Sequence, residues 1–162
     1  MQMKKISCRI AVIVVALCAV MMVVGCSGDN KDPLTPKEFK TIMEEKGIAV
    51  TDQTEAVSGD SSYQDVYVAY AEGKYSFEYY FMKNESSASE LYAVATKNLE
   101  KRYDNDSSAT VLSSSIGSTN KYEVSASDYY CVAWQNKNAM LYMTAYSNYK
   151  DEAKEILKKL GY

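Results

Sequence analysis

The stretch that decides the fold is residues 129–146, which read YYCVAWQNKNAMLYMTAY. Residues 129–135 and 139–146 are rich in aromatic, branched and other apolar side chains, a composition that is typical of β-strands. Asn136-Lys137-Asn138 lies between them and predicts a turn, because asparagine tolerates the backbone angles that tight turns require. The stretch therefore predicts two neighbouring strands joined by a short connection, with apolar side chains on both faces.

The same composition predicts four further strands on the N-terminal side of this stretch. Residues 64–71 and 75–82 flank Glu72-Gly73-Lys74, and this arrangement predicts a β-hairpin. In the second of these strands the side chains alternate along the chain, so that one face is predicted to be buried. Two more strands are predicted at residues 110–114 and 121–127.

Three segments carry the signals of amphipathic helices. The first begins at a capping box on Thr35 and ends at Gly47, which fits the left-handed position after a helix. The second is predicted to run from a capping box at residues 87–90 to about Tyr103. The third covers about residues 148–160, with acidic residues in its first turn and lysines in its last, as the helix dipole favours.

The resulting order, α-ββ-α-ββββ-α, predicts an α+β domain over residues 35–162. Three helices would pack on a mainly antiparallel sheet of about six strands, because the order offers few candidates for parallel crossovers. The polar residues 51–62 are predicted to form a loop. The order is similar to that of the Mog1/PsbP-like fold, which some bacterial lipoproteins use, and this similarity at the level of the fold implies no site.

Residues 1–25 have the pattern of a secretory signal. Lys4, Lys5 and Arg9 precede an uncharged and mainly apolar run at residues 10–24. This run is shorter than the roughly 20 residues that a helix needs to cross a bilayer. The pattern therefore favours an export signal over a permanent membrane span.

The end of the leader, Val23-Val24-Gly25-Cys26, resembles the lipobox of bacterial lipoproteins, in which aliphatic and small residues precede an obligatory cysteine. In that family a diacylglyceryl group is attached to the cysteine sulfur and the leader is removed. The resemblance implies that Cys26 is the lipidated first residue, that residues 26–34 are a tether, and that the protein lies on the extracytoplasmic face of the cell membrane. The alternative is an ordinary signal anchor with an incidental cysteine.

The chain that would remain, residues 26–162, is acidic. It holds 15 basic and 21 acidic residues, for a formal charge of −6, and its basic residues form no cluster. This composition predicts no binding of nucleic acid or of an anionic lipid surface. Cys131 would be the one cysteine without a lipid, so that no intrachain disulfide is expected, and its apolar neighbours predict a buried thiol.

The sequence shows no recognisable catalytic or metal-binding pattern. The chain has no histidine, so that Cys131 lacks the usual catalytic base and a zinc site lacks a usual ligand. Two Ser-x-x-Lys sequences match a motif of penicillin-recognising enzymes, but as many are expected by chance and the companion motifs are missing. Residues 104–108 begin like a calcium loop that lacks its glycine and final glutamate. We expect no enzymatic activity, no cofactor and no metal.

Tyrosine is unusually frequent, and all 15 tyrosines follow Cys26. Five lie in predicted strands whose neighbouring positions are also apolar, and we predict a candidate binding face from them: Tyr67, Tyr80, Tyr130, Tyr142 and Tyr146. If helices cover both faces of the sheet, these rings belong to the core with their hydroxyls at its rim. If one face is open, the rings suit stacking on sugars or contact with an apolar protein partner.

Taken together, these features predict a non-enzymatic binding or accessory module on the outer face of the membrane, with an envelope protein or a wall glycan as its partner. A solute-binding component of a transporter is one alternative, although such receptors usually need two lobes around a cleft. A cell-wall hydrolase is another and would need paired carboxylates with shifted pKa values. The whole chain also resembles small uncharacterised lipoproteins of Gram-positive bacteria, a resemblance that implies no activity.

Overall fold

Residues 32–162, which the computed structural model describes, build three α-helices and one seven-stranded sheet. The helices are α1 (Pro36–Glu45), α2 (Glu85–Tyr103) and α3 (Lys150–Lys159). The strands are β1 (Ala49–Asp52), β2 (Tyr63–Ala71), β3 (Tyr75–Met82), β4 (Thr110–Ile116), β5 (Thr119–Ser125), β6 (Tyr129–Asn136) and β7 (Ala139–Tyr146). The predicted leader, Cys26 and the first part of the tether lie outside the described residues.

Every strand pair in the sheet is antiparallel, in the order β1-β2-β3-β7-β6-β5-β4. The predicted class is confirmed: three helices pack on an antiparallel sheet in an α+β arrangement. The hairpin of β6 and β7, formed by residues 129–146, lies in the interior of the sheet. β7 joins it to β3, so that the N-terminal strands β1–β3 and the C-terminal strands β4–β7 form one continuous surface.

The predicted strand number and order are wrong, because the structure has a seventh strand, β1, between α1 and β2. β1 has four residues, pairs with β2 from Ala49↔Tyr70 to Asp52↔Tyr67, and overlaps the loop that was predicted from residue 51. It is an edge strand with a mainly exposed surface, so that it lacks the apolar alternation by which strands are recognised. Its backbone pairing with β2, rather than its side chains, makes it a strand.

Both predicted ends of α1 are confirmed. The Glu38 N–H donates to Thr35 Oγ1 at 3.3 Å, and the Thr35 N–H donates to Glu38 Oε2 at 2.7 Å, which completes the capping box. Gly47 has φ +72°, and the N–H of Ile48 donates to the Met43 carbonyl at 3.0 Å, the bond that closes a Schellman motif. These ends fix the helix so that Phe39 packs against the sheet.

The predicted start of α2 is corrected from residues 87–90 to Asn84. The Asn84 side chain accepts a hydrogen bond from the Ser87 N–H at 2.9 Å, so that Asn84 is the N-cap. Ser89 instead accepts a hydrogen bond from Gln135 Nε2 at 2.8 Å and connects α2 to β6. The predicted end at Tyr103 is confirmed.

The sheet separates two groups of buried side chains, and each group defines a face. On the α1/α3 face, both helices pack over Phe77, Tyr79, Val132, Leu141 and Met143. On the α2 face, α2 packs over Tyr122, Val124, Cys131, Ala133 and Met140. Cys131 is fully buried, as predicted, and burial raises the pKa of its thiol.

Candidate functional site

The structure does not bring the five predicted tyrosines together on one surface. Tyr67 and Tyr130 lie on the α1/α3 face, whereas Tyr80, Tyr142 and Tyr146 lie on the α2 face. This division follows from strand geometry, because successive side chains of one strand point to opposite faces. The antiparallel register of the neighbouring strands then determines which positions share a face.

Two of these tyrosines, the buried Tyr130 and the half-buried Tyr80, have contacts of their own within the domain. Tyr130 is 1% exposed and has the amines of Lys150 and Lys154 at 5.2 and 5.4 Å from its ring centroid. The Tyr80 hydroxyl donates to the Glu78 carboxylate on the same strand. Burial raises the pKa of both hydroxyls, so that they remain neutral hydrogen-bond donors. These contacts give both rings a structural role.

Tyr146 is different, because 45% of it is exposed at the end of β7. It pairs with Tyr129 of β6, and the two rings stack with their centroids 5.1 Å apart and their planes at 29°. Tyr70 of β2 is 57% exposed on the same face. We call Tyr70, Tyr129 and Tyr146 the tyrosine platform.

Two hydroxyl side chains form the floor between the rings of the tyrosine platform. Ser76 of β3 pairs with both Tyr70 and Thr144 of β7, so that the three positions form one row across the sheet. Tyr146 follows two residues after Thr144 on the same face. The resulting open groove has a volume of about 190 Å³ and is lined by Tyr70, Ser76, Tyr129, Thr144 and Tyr146 among others.

The platform is open because α2 does not cover this end of its face. α2 crosses β3, β7 and β6 and ends at Tyr103, whose hydroxyl lies 3.5 Å from the Cys131 sulfur. Cys131 pairs with Thr144, so that α2 ends near the floor of the groove but on its β6 side. Beyond the end of α2, the ends of β2, β6 and β7 carry the exposed rings of the tyrosine platform.

A second groove of about 390 Å³ adjoins the platform and shares Tyr129 with it. Its lining is charged and includes Arg102, Asp106 and Asp128. Hydrogen bonds from the hydroxyl and N–H of Ser108 lower the pKa of Asp106 and stabilise its ionised form. The combined surface therefore offers aromatic rings at one end and fixed charges at the other.

The candidate face predicted from the sequence includes Tyr146 but not Tyr70 or Tyr129. A signal for Tyr129 was available in the hairpin of β6 and β7. A hairpin that closes at Asn136↔Ala139 must place Tyr129 opposite Tyr146, because antiparallel partners lie symmetrically about the turn. No comparable signal identifies Tyr70, because its neighbours on the platform come from strands distant in the chain.

Comparison of the chain with protein-family models, with curated proteins and with solved structures finds no match. Within residues 32–162, no helix is both long and apolar enough to cross a bilayer. The same residues contain no group of three or more acidic or cysteine side chains placed to hold a metal ion. The geometry of the described residues therefore carries the functional argument.

Proposed function

We propose that this protein is a lipoprotein anchored through Cys26 to the outer face of the cell membrane, where it acts as a non-enzymatic binding module. Its tyrosine platform binds a component of the cell envelope, and a wall glycan fits the platform best. The observation that carries the proposal is the exposed Tyr129–Tyr146 stack, which faces Tyr70 across a floor of hydroxyl groups.

A glycan chain suits this surface in shape and in chemistry. The C–H-rich faces of sugar rings pack on aromatic rings, while sugar hydroxyls exchange hydrogen bonds with groups such as Ser76 and Thr144. Tyr70 and Tyr146 lie on strands separated by β3 alone, and Tyr146 lies two residues beyond the row of Tyr70, so that their backbones are roughly 12 Å apart. That distance accommodates more than one sugar ring. Exposed tyrosines also suit a protein partner, which is the second candidate.

The end of the domain at which residues 32–34 lie supports an outward-facing platform. Lys137, in the turn between β6 and β7, forms an ion pair with Asp32 at 2.6 Å, and the Tyr79 hydroxyl donates to the Leu34 carbonyl. The chain therefore enters the domain at the turn end of β6, whereas Tyr129 lies at the other end of its eight residues, roughly 25 Å away. A short tether to the membrane would leave the platform on the distal side, toward the wall.

The two alternative functions draw less support from the same surface. A wall hydrolase needs a carboxylic acid that stays protonated, and the lowered pKa of Asp106 makes that side chain unsuited to the role. A solute receptor would enclose its ligand, whereas the tyrosine platform is an open groove at the end of the sheet.

Photo-crosslinking in living cells tests the binding proposal. A benzophenone amino acid is placed at Tyr146 or at Tyr70, and a matched control is placed at Val94, which is 56% exposed on α2. We expect adducts from both platform positions and none from Val94. Mass spectrometry of each adduct distinguishes a glycan from a protein. The proposal fails if neither platform position gives an adduct, or if Val94 gives the same one.

A further inference from the structure

The last strand of the sheet, β4, has an unusually exposed surface. All seven of its residues, TVLSSSI, are exposed, including Val111 at 47%, Leu112 at 63% and Ile116 at 56%. It pairs with β5 on one side and, within residues 32–162, with no strand on the other. The strand contains no charged residue and no proline, the usual protections of a sheet edge.

The opposite edge of the sheet is protected in the usual way. β1 has four residues and ends in Asp52, whose carboxylate accepts a hydrogen bond from the Thr54 N–H at 2.9 Å. A short edge strand that ends in a charge resists pairing with another strand. The two edges therefore differ in length and in charge: β4 has seven uncharged residues, whereas β1 has four residues and ends in a carboxylate.

We propose that β4 pairs with β4 of a second copy of this chain, antiparallel and about a two-fold axis at Ser114. This inference goes beyond the proposed binding function and does not depend on it. Pairing would join the two sheets of the dimer edge to edge. The tyrosine platforms would remain exposed, because four strands lie between β4 and β2 and β5 lies between β4 and β6.

The backbone of β4 is arranged for this pairing. The turn between β4 and β5 has two residues and closes at Ile116↔Thr119, so that Ile116 and every second residue before it bond to β5. The N–H and C=O groups of Val111, Ser113 and Ser115 consequently point to the open edge. With Ser114 on the axis, Ser113 faces Ser115 of the second copy, and each such pair can exchange two hydrogen bonds.

The side chains favour the same register. Leu112 then lies opposite Ile116 of the second copy, and the two-fold axis repeats this apolar pair on the other side of Ser114. Both residues lie on the α1/α3 face. Even-numbered residues of β4 pair with odd-numbered residues of β5, and these point to the α1/α3 face because Tyr122 and Val124 point to the α2 face. The uncharged strand brings no like charges together at the join. A strand that complements itself in hydrogen bonding and in apolar pairing fits a second copy better than an unrelated partner.

The size of the contact predicts a reversible dimer. Residues 112–116 make up the paired segment, and such a segment buries less than the roughly 1,200–2,000 Å² of a standard stable interface. We therefore expect the dimer to form and dissociate, so that a covalent trap is needed to detect it.

Disulfide trapping of the full-length chain in whole cells tests the pairing. At the axis, Ser114 faces its own counterpart in a non-hydrogen-bonded pair with Cα atoms about 4.5 Å apart, which is within the range of a disulfide. After mild oxidation we expect Ser114→Cys to give at least ten times more covalent dimer on a non-reducing gel than the parent chain. Adding Leu112→Lys to that variant should remove the increase, because two buried lysines would disrupt the apolar pairs.

Two controls make the result specific. Thr51→Cys, on the protected β1 edge, should give no more dimer than the parent chain, which measures random collision. Circular dichroism should show that each variant keeps its fold, because all of the substituted residues are exposed. The proposal is overturned if Ser114→Cys remains at the parent level, if Thr51→Cys gives as much dimer, or if the trapped species has the mass of a different protein.

Discussion

Replacing Tyr79 by alanine is expected to lower the free energy of unfolding by about 3–5 kcal/mol, the range for large aromatic residues in a core. Tyr79 is 1% exposed, and its ring stacks on Phe39 of α1 at 4.8 Å between centroids and 13° between planes. Its hydroxyl donates to the Leu34 carbonyl, where the chain enters the domain. The substitution removes the contact that holds both α1 and the entering chain on the sheet. Urea unfolding followed by circular dichroism measures the change.

Two matched variants separate the causes of this loss. Tyr79→Phe keeps the ring and removes the hydroxyl, so that we expect a loss of about 1 kcal/mol for one hydrogen bond. Tyr70→Ala removes a tyrosine that is 57% exposed and should change stability by less than about 0.5 kcal/mol. Equal losses for Tyr70→Ala and Tyr79→Ala would contradict the packing described for α1.

Replacing Cys26 by alanine is expected to prevent lipidation, so that the protein is either released from the membrane fraction or keeps its leader. Each buried methylene of an acyl chain contributes about 0.8 kcal/mol to membrane binding, so that losing two chains changes partitioning by many orders of magnitude. The variant should be found in the medium or remain as an unprocessed precursor. Cell fractionation with immunoblotting measures both outcomes.

Cys18→Ala is the matched control for this experiment, because Cys18 lies in the apolar run of the predicted leader but outside the sequence that resembles a lipobox. That variant should be processed and anchored like the parent chain. A processed form of Cys26→Ala that stays in the membrane fraction would show that the anchor is something other than the proposed lipid.

Local signals explain why the helices were predicted well from the sequence. A capping box and a left-handed glycine act within a few residues, so that Thr35 and Gly47 define α1 without reference to the rest of the fold. The wrong start that was predicted for α2 also came from a local capping signal. Ser87 and Asn84 both have N-cap chemistry, and the position where β3 ends decides in favour of Asn84.

β1 and the tyrosine platform show where sequence reasoning was insufficient. β1 forms because β2 offers an open edge, a partner 15 or more residues away in the chain. The tyrosine platform depends on strand order, on register and on where α2 ends, so that composition alone did not separate exposed Tyr146 from buried Tyr130. The sequence pattern predicted apolar residues on both faces of the sheet. Which of these residues are covered depends on where the helices lie, and the pattern does not show that.

The most direct test of the central claim measures binding of the protein to purified cell-wall glycan by co-sedimentation. We expect the parent chain to sediment with the glycan and the double variant Tyr129→Ala/Tyr146→Ala to bind at least ten times more weakly, because it lacks the stacked rings. Val94→Ala, at an exposed position on α2, should bind like the parent chain. Glycan binding that survives the loss of both rings would contradict the platform as the binding surface, and failure of the parent chain to bind would contradict a wall glycan as its ligand.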